Sequence, residues 1–185
     1  MNRVPALLFA VLPLGNLADA ESLRIVPTEG TFFALDVEKT KLWAGRKHVF
    51  HFSRYRGEIE NSSVVFTVET GSLTCKDDWV KPGQIKDIEK AAFGLLEPAK
   101  YPEIRFVSTR VVPGGVEGSL TIRDVTRPIA IGVKDYEGAA KVKLSDFGLK
   151  PPSSALGFAI GTKDEMTVRF KLKAERVQAP AARSK

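Results

Sequence analysis

Residues 166–173 read Met-Thr-Val-Arg-Phe-Lys-Leu-Lys, with apolar side chains at every even position and polar ones between them. Successive side chains of an extended chain point to opposite faces, so this stretch is a strand with one buried and one wet face. On a helix the same four apolar residues would be scattered around the axis and bury nothing together.

The same period of two recurs along the chain. Ile129, Ile131 and Val133 alternate after Pro128, Leu120 and Ile122 alternate with Ser119, Thr121 and Arg123, and Val64, Phe66 and Val68 alternate with Val65, Thr67 and Glu69. Val142 and Leu144 face away from Lys141 and Lys143, and Ile104 and Phe106 oppose Arg105 and Val107. From Thr40 to Phe52 the set Leu42, Ala44, Phe50 and Phe52 reads as one strand bent at Gly45, and Thr31–Val37 opens the series. Pro113-Gly114-Gly115, Asp124-Val125-Thr126 and Tyr136-Glu137-Gly138 supply the reversals between them. About eight strands with short links predict an all-β antiparallel sheet, closed or folded on itself.

One segment departs from this period. Ile85, Ile88, Ala92 and Leu95 fall at helical spacing between Gly83 and Leu96, with Lys86, Asp87, Glu89 and Lys90 on the outer side and Pro98 as the stop. A single amphipathic helix in such a chain is expected to plug or cover an open end of the sheet. Residues 175–185 lose all periodicity and read as a disordered tail.

The N-terminus reads differently again. Arg3 precedes the apolar run Ala6–Leu12, and Ala18-Asp19-Ala20 has the small-x-small form of a signal-peptidase site. Residues 1–20 are therefore expected to be a signal peptide cleaved after Ala20, which predicts a periplasmic or secreted protein. The run falls short of the roughly 20 apolar residues that span a bilayer. Residues 21–30 then form a lead-in and residues 31–174 the single domain.

Hydrophobic residues make up 43% of the chain and charged ones 27%, which excludes a disordered polyelectrolyte. Cys75 is the single cysteine, so no intramolecular disulfide holds the fold; without a CxxC partner or a neighbouring His, it reads as a small semi-buried apolar residue. A net charge of +6 permits contact with an anionic membrane surface, and Lys141, Lys143, Arg169, Lys171 and Lys173 share the outward parity. No arginine-rich helix accompanies the charge, and no nucleic-acid partner is expected.

Motifs of catalysis are missing: there is no GxSxG elbow, HExxH, P-loop or dinucleotide fingerprint. His48 and His51 are three apart and face opposite ways in a continuous strand, converging only across a bulge. Asp77-Asp78 beside Trp79 would complete a metal or acid–base site there, but paired acids after a strand more often form a solvated turn. No catalytic residue, metal or cofactor is assigned, and an enzyme is not expected.

Two ordered motifs carry a family resemblance. Glu97–Thr109 (EPAKYPEIRFVST) resembles the KYPxIxFxST signature of the YceI-like family, and Gly118–Pro128 (GSLTIRDVTRP) resembles its GxLTIxGVTxP signature. Phe33–Asp36, the Thr40–His48 stretch and Gly57 are similar to the family's opening strands. The chain departs from the pattern where Thr40–Ala44 lacks the first His of the usual HSxVxF opening, where about two extra residues separate His48 from Gly57, and where Asp124 replaces a Gly.

The resemblance implies an eight-stranded, lipocalin-like antiparallel barrel whose interior takes a long isoprenoid chain or another long-chain lipid. Inward parity then nominates Phe50, Phe52, Phe66, Phe106, Ile122, Ile131 and Phe170 as the lining. The alternative is that these rings fill a solid core, which would make the protein an interaction or stress-response module with no ligand. An enzyme acting on an apolar substrate would instead need a polar pair inside the barrel.

Overall fold

A computed structural model describes residues 22–41, 44–151 and 160–177. Residues 166–171 of the opening octapeptide lie in a long strand, because their alternation meets two partners of matching alternation. In chain order the strands are β1 (Ser22–Ile25), β2 (Phe32–Lys41), β3 (Lys47–Phe52), β4 (Tyr55–Glu60), β5 (Ser63–Glu69), β6 (Leu73–Cys75), β7 (Glu103–Val112), β8 (Gly115–Ile122), β9 (Val125–Lys134), β10 (Glu137–Lys143), β11 (Ile160–Lys171) and β12 (Ala174–Arg176). They form one antiparallel sheet in the order β12-β1-β4-β5-β7-β8-β9-β10-β11-β2-β3-β6.

The sheet curls so that strands far apart in this order meet face to face. Phe33 of β2 lies 5.3 Å from Phe66 of β5 and 6.1 Å from Tyr55 of β4, ring centre to ring centre. The Tyr55 hydroxyl and Thr31 Oγ1 are 2.8 Å apart, which satisfies a phenol that is otherwise buried. A fully buried aromatic contributes about 1.5–3 kcal/mol through area removed from water; Tyr55 is buried to that degree, and Phe33 and Phe66 are partly buried.

The fold class is the expected one, and the strand count is higher. Four short or polar strands escaped the sequence reading: β1, β4, β6 and β12. The lead-in at 21–30 contains β1, and the expected disordered tail at 175–185 begins inside β12, which pairs Leu23 with Arg176 and Ile25 with Ala174. A three-residue strand is too short to show a period, and pairing to a sheet edge orders it. Residues 178–185 and the expected signal peptide lie outside the described residues.

Thr40–Phe52 is also corrected. The chain does not bend there within one strand but reverses, with Gly45 at φ +88° and Lys39 N donating to Arg46 O at 2.8 Å. Only glycine adopts that backbone without strain. The predicted hairpins at 113–115, 124–126 and 136–138 are present, and Asp135 and Tyr136 at φ +51° and +63° give the last one its tight turn.

The helix α1 (Pro82–Leu96) follows the helical spacing read from the sequence. Lys81 N donates to Gln84 Oε1 at 3.1 Å at its start, and Glu97 closes it with a left-handed φ of +49° and its N–H on Phe93 O. Ile85, Ile88, Ala92 and Leu95 pack against the core.

On the outer face, β10 and β11 are neighbours, so the basic residues expected there do line up. Carboxylates interleave with them: Lys141 pairs with Glu165 at 2.8 Å, Lys171 with Glu137 at 2.5 Å and Arg169 with Asp36 at 2.7 Å. The expected positive stripe is a charge-alternating surface.

Candidate functional site

Alternation places one side chain in two from each strand on the concave face, and those side chains enclose two cavities of about 360 Å³ each. The sheet cavity is walled by β1–β5 and β7–β11, with Phe52, Phe66, Phe106, Ile122, Ile131 and Phe170 all on its wall. The helix-side cavity lies under α1, and Phe50 lines it together with Ile88, Ala92 and Leu95. Leu35, Leu96, Leu144 and Met166 belong to both walls, so the two spaces adjoin. Every nominated interior residue thus faces one cavity or the other. The volume falls within the 300–1,000 Å³ range of small-molecule sites even for one cavity alone.

The sheet cavity is long. Ile104 and Val112 both line it, eight residues apart on β7, which spans roughly 25 Å along a strand. Its mouth is at the hairpin tips, because Val111 and Tyr136 line it and are also 52% and 39% exposed. No charged side chain lines it.

Glycines explain how a phenylalanine-rich face leaves space. Gly57, Gly118 and Gly138 point inward, and a Cβ at each would lie 2.9 Å from Phe66, 2.6 Å from Phe106 and 2.7 Å from Phe170. The three rings therefore lie across glycines of adjacent strands, flat along the wall. Gly57 is the direct cross-strand partner of Phe66, and Gly138 of Phe170. Aromatic rings covering cross-strand glycines are a known device for shaping curved sheets.

Phe33 is an interior residue the sequence reading did not nominate, although it meets Phe52, Tyr55, Phe66 and Phe170 with ring centres 5.3–6.3 Å apart. The parity of Phe33, Leu35 and Val37 against Ala34 and Asp36 was the available signal.

The helix-side cavity carries the polar groups. Lys39, His48, Asp87 and Thr162 line it among apolar neighbours. Burial pushes the Lys39 ammonium below its usual pKa, against the pull of Asp77. His48 faces inward and His51 outward, as their spacing predicted, and the β2–β3 register runs without a bulge.

The Asp77-Asp78 pair is not the expected solvated turn. Asp77 is buried, its Oδ2 lies 2.5 Å from His48 Nδ1, and its Oδ1 accepts the Val49 N–H at 2.8 Å, while Asp78 is exposed. Cys75 likewise has a histidine for a neighbour in space, although none is near in sequence. Buried desolvation together with Asp77 pushes its thiol up to about 11. The missed signal was the shared parity of Leu73, Cys75 and Asp77, which mirrors that of His48, Phe50 and Phe52.

Comparison with known proteins follows the same lines. The chain is 40% identical over 77 residues to a UPF0312 protein of Pseudomonas syringae pv. tomato, a match covering 31% of this chain and 40% of that protein. It is 30% identical over 114 residues to a UPF0312 protein of Pseudomonas putida strain W619, covering 51% and 56% respectively. The aligned stretches thus span well under two thirds of these curated relatives. Among solved structures, BcnA of Burkholderia cenocepacia superposes with a TM-score of 0.58 at 18% identity, over 80% of this chain and 98% of that one. A polyisoprenoid binding domain from Saccharophagus degradans, implicated in plant cell wall breakdown, superposes with a TM-score of 0.53 at 11% identity, over 83% and 98%. Both likenesses are of fold. The model of the YceI-like domain matches residues 33–174, from within β2 to the start of β12. On this match and this architecture, the chain belongs to the YceI-like domain family.

Proposed function

We propose that this protein binds an elongated apolar lipid, of isoprenoid type, inside its curled sheet, and that it carries, stores or sequesters that lipid outside the inner membrane. The observation that carries the reading is the sheet cavity: uncharged, roughly 25 Å long, open at the hairpin tips and walled by rings laid flat over glycines. A space of that shape rewards a long flexible chain and offers no polar anchor at its centre. The polyisoprenoid binding named for the Saccharophagus degradans domain of the same fold supports the same chemistry. Binding, rather than catalysis, is the activity that a wall without acid, base or nucleophile supports.

Organic extraction of the purified protein followed by mass spectrometry tests the reading. A long apolar chain in near-stoichiometric amount is expected. An extract without such a chain, together with failure of the ligand-free protein to take up a long-chain isoprenoid, would overturn it.

A further inference from the structure

We propose that His48, Cys75 and Asp77 form a binding site for a divalent cation of borderline softness, with zinc the best-matched ion. The three side chains are buried, and one ligand atom from each lies within 4.8 Å of the others. This proposal stands apart from the lipid reading, because the cluster sits at the β3–β6 edge of the sheet rather than on the uncharged cavity wall.

Strand pairing assembles the cluster. Phe50 stands opposite Cys75 in the β3–β6 ladder, and Lys76 N donates to Val49 O at 2.8 Å, which carries the register on past the end of β6. Two residues beyond Phe50 in one direction is His48, and two beyond Cys75 in the other is Asp77. Period two keeps all of them on the inward face, so Asp77 arrives beside His48 with Cys75 next to it.

The donor set is selective. One imidazole nitrogen, one thiolate sulfur and one carboxylate oxygen match zinc, whereas magnesium and calcium prefer oxygen alone. In a tetrahedral site with bonds of about 2.0–2.1 Å, a nitrogen and an oxygen ligand stand about 3.3 Å apart. His48 Nδ1 and Asp77 Oδ2 are 2.5 Å apart, a hydrogen-bonding contact. An ion that takes the place of the proton in that contact sends it to His48 Nε2 or to solvent and displaces the Cys75 thiol proton to solvent, while the His48–Asp77 pair opens by less than about 1 Å. A hydrogen-bonded His–Asp pair alone would tie β3 to the chain after β6, with Cys75 an apolar core residue beside it; the metal reading is the one that uses its sulfur as a ligand.

Outer contacts fix each ligand. Asp77 Oδ1 holds the Val49 N–H at 2.8 Å, and the Cys75 N–H donates to Glu89 Oε1 of α1 at 2.8 Å. The Trp79 ring stacks on His48 at 5.4 Å and donates its Nε1–H to Lys47 O at 3.1 Å. Such second-layer contacts orient metal ligands and raise affinity. Three protein donors leave a fourth tetrahedral position for water.

The test uses untagged full-length protein, freed of metal with a chelator and then titrated separately with Zn²⁺ and Co²⁺. One-to-one Zn²⁺ retention after gel filtration is expected, and Co²⁺ should give the intense near-ultraviolet band of a thiolate–cobalt bond. Cys75→Ser, close to isosteric, should abolish that band and weaken Zn²⁺ binding by about tenfold or more. His48→Gln should weaken binding by a similar factor, with circular dichroism confirming that each variant is folded. If a variant does not fold, the wild-type cobalt band decides alone. Substoichiometric retention of both ions, a cobalt spectrum without the thiolate band, or a folded Cys75→Ser protein with unchanged affinity would overturn the proposal.

Discussion

Phe66 and Phe106 stand directly opposite each other across the β5–β7 ladder, and each ring lies over a glycine one strand further out, Phe66 over Gly57 and Phe106 over Gly118. Gly57, Phe66 and Phe106 stand in register across β4, β5 and β7, and Gly118 lies diagonally from Phe106, two residues before its direct partner Leu120. Replacing either phenylalanine by leucine keeps the wall apolar and removes ring volume. A ring packed on all sides would cost about 1–3 kcal/mol on such a change. For these two, which face open space on one side, the ligand-free protein is expected to lose less than about 1 kcal/mol, while the chain length or amount of extracted lipid shifts. Urea unfolding of both variants checks this, and a full-sized loss in both would mean a solid core.

Gly118→Ala tests the same wall from the other side. An added Cβ would meet the Val107 carbonyl oxygen and come within 2.6 Å of the Phe106 ring. The ring must then swing off the wall into the cavity, or the two strands must separate. The expected outcome is a loss of about 1–3 kcal/mol, in line with other overpacking changes, and a reduced lipid load. Unchanged stability and lipid load would show that the ring does not rely on the glycine.

Asp36 joins three strands, accepting two hydrogen bonds from Arg169 at 2.9 and 2.7 Å and one from Lys47 at 2.5 Å. Burial pushes its carboxyl up, but the hydrogen bonds and charges of Arg169 and Lys47 outweigh burial and hold it below the usual value. With the folded pKa below the unfolded one, this contribution is complete above the unfolded carboxylate range, about pH 4, and is lost as pH falls through the folded value. Both cations are about half exposed, so Asp36→Asn is expected to cost only about 1–3 kcal/mol at pH 7. The gap between variant and wild type should narrow at about pH 3. Denaturation curves at the two pH values check it, and an equal gap at both would remove the charge from the account.

The Ala18-Asp19-Ala20 site after a basic-then-apolar start predicts a mature chain beginning at Glu21. Intact mass of protein recovered from the periplasm or medium measures this directly. A full-length product confined to the cytoplasm would end the export reading and, with it, any role outside the inner membrane.

Much of the wall was legible because alternation is written locally. Met166–Lys173 declared its own faces, and the seven nominated residues needed only parity to be placed inward. What stayed hidden was written in pairs. β6 has three residues and β12 another three, too few for a period, and each exists because a partner strand offers unpaired backbone groups. The sequence raised Asp77 as a partner for His48 but favoured a solvated turn and left Cys75 out, because the three meet only once β6 has docked on β3. The flat lie of the rings was hidden as well, because it depends on which glycine each phenylalanine meets on the next strand, and register is a property of two strands rather than one.

The pairing of β11 with β2 also governs when the protein can fold. Residues 32–41 take their long partner from residues 160–171, and β1 takes one of its two from β12 at the far end of the chain. The contact that Asp36 makes with Arg169 closes a loop of more than a hundred residues, and the β11–β2 and β1–β12 pairings are distant ones, the kind that form slowly. A growing chain holds no complete cavity until nearly its last strand has emerged. On the proposed export route, that delay would keep the thread loose until it had crossed, and the cavity would first form on the far side.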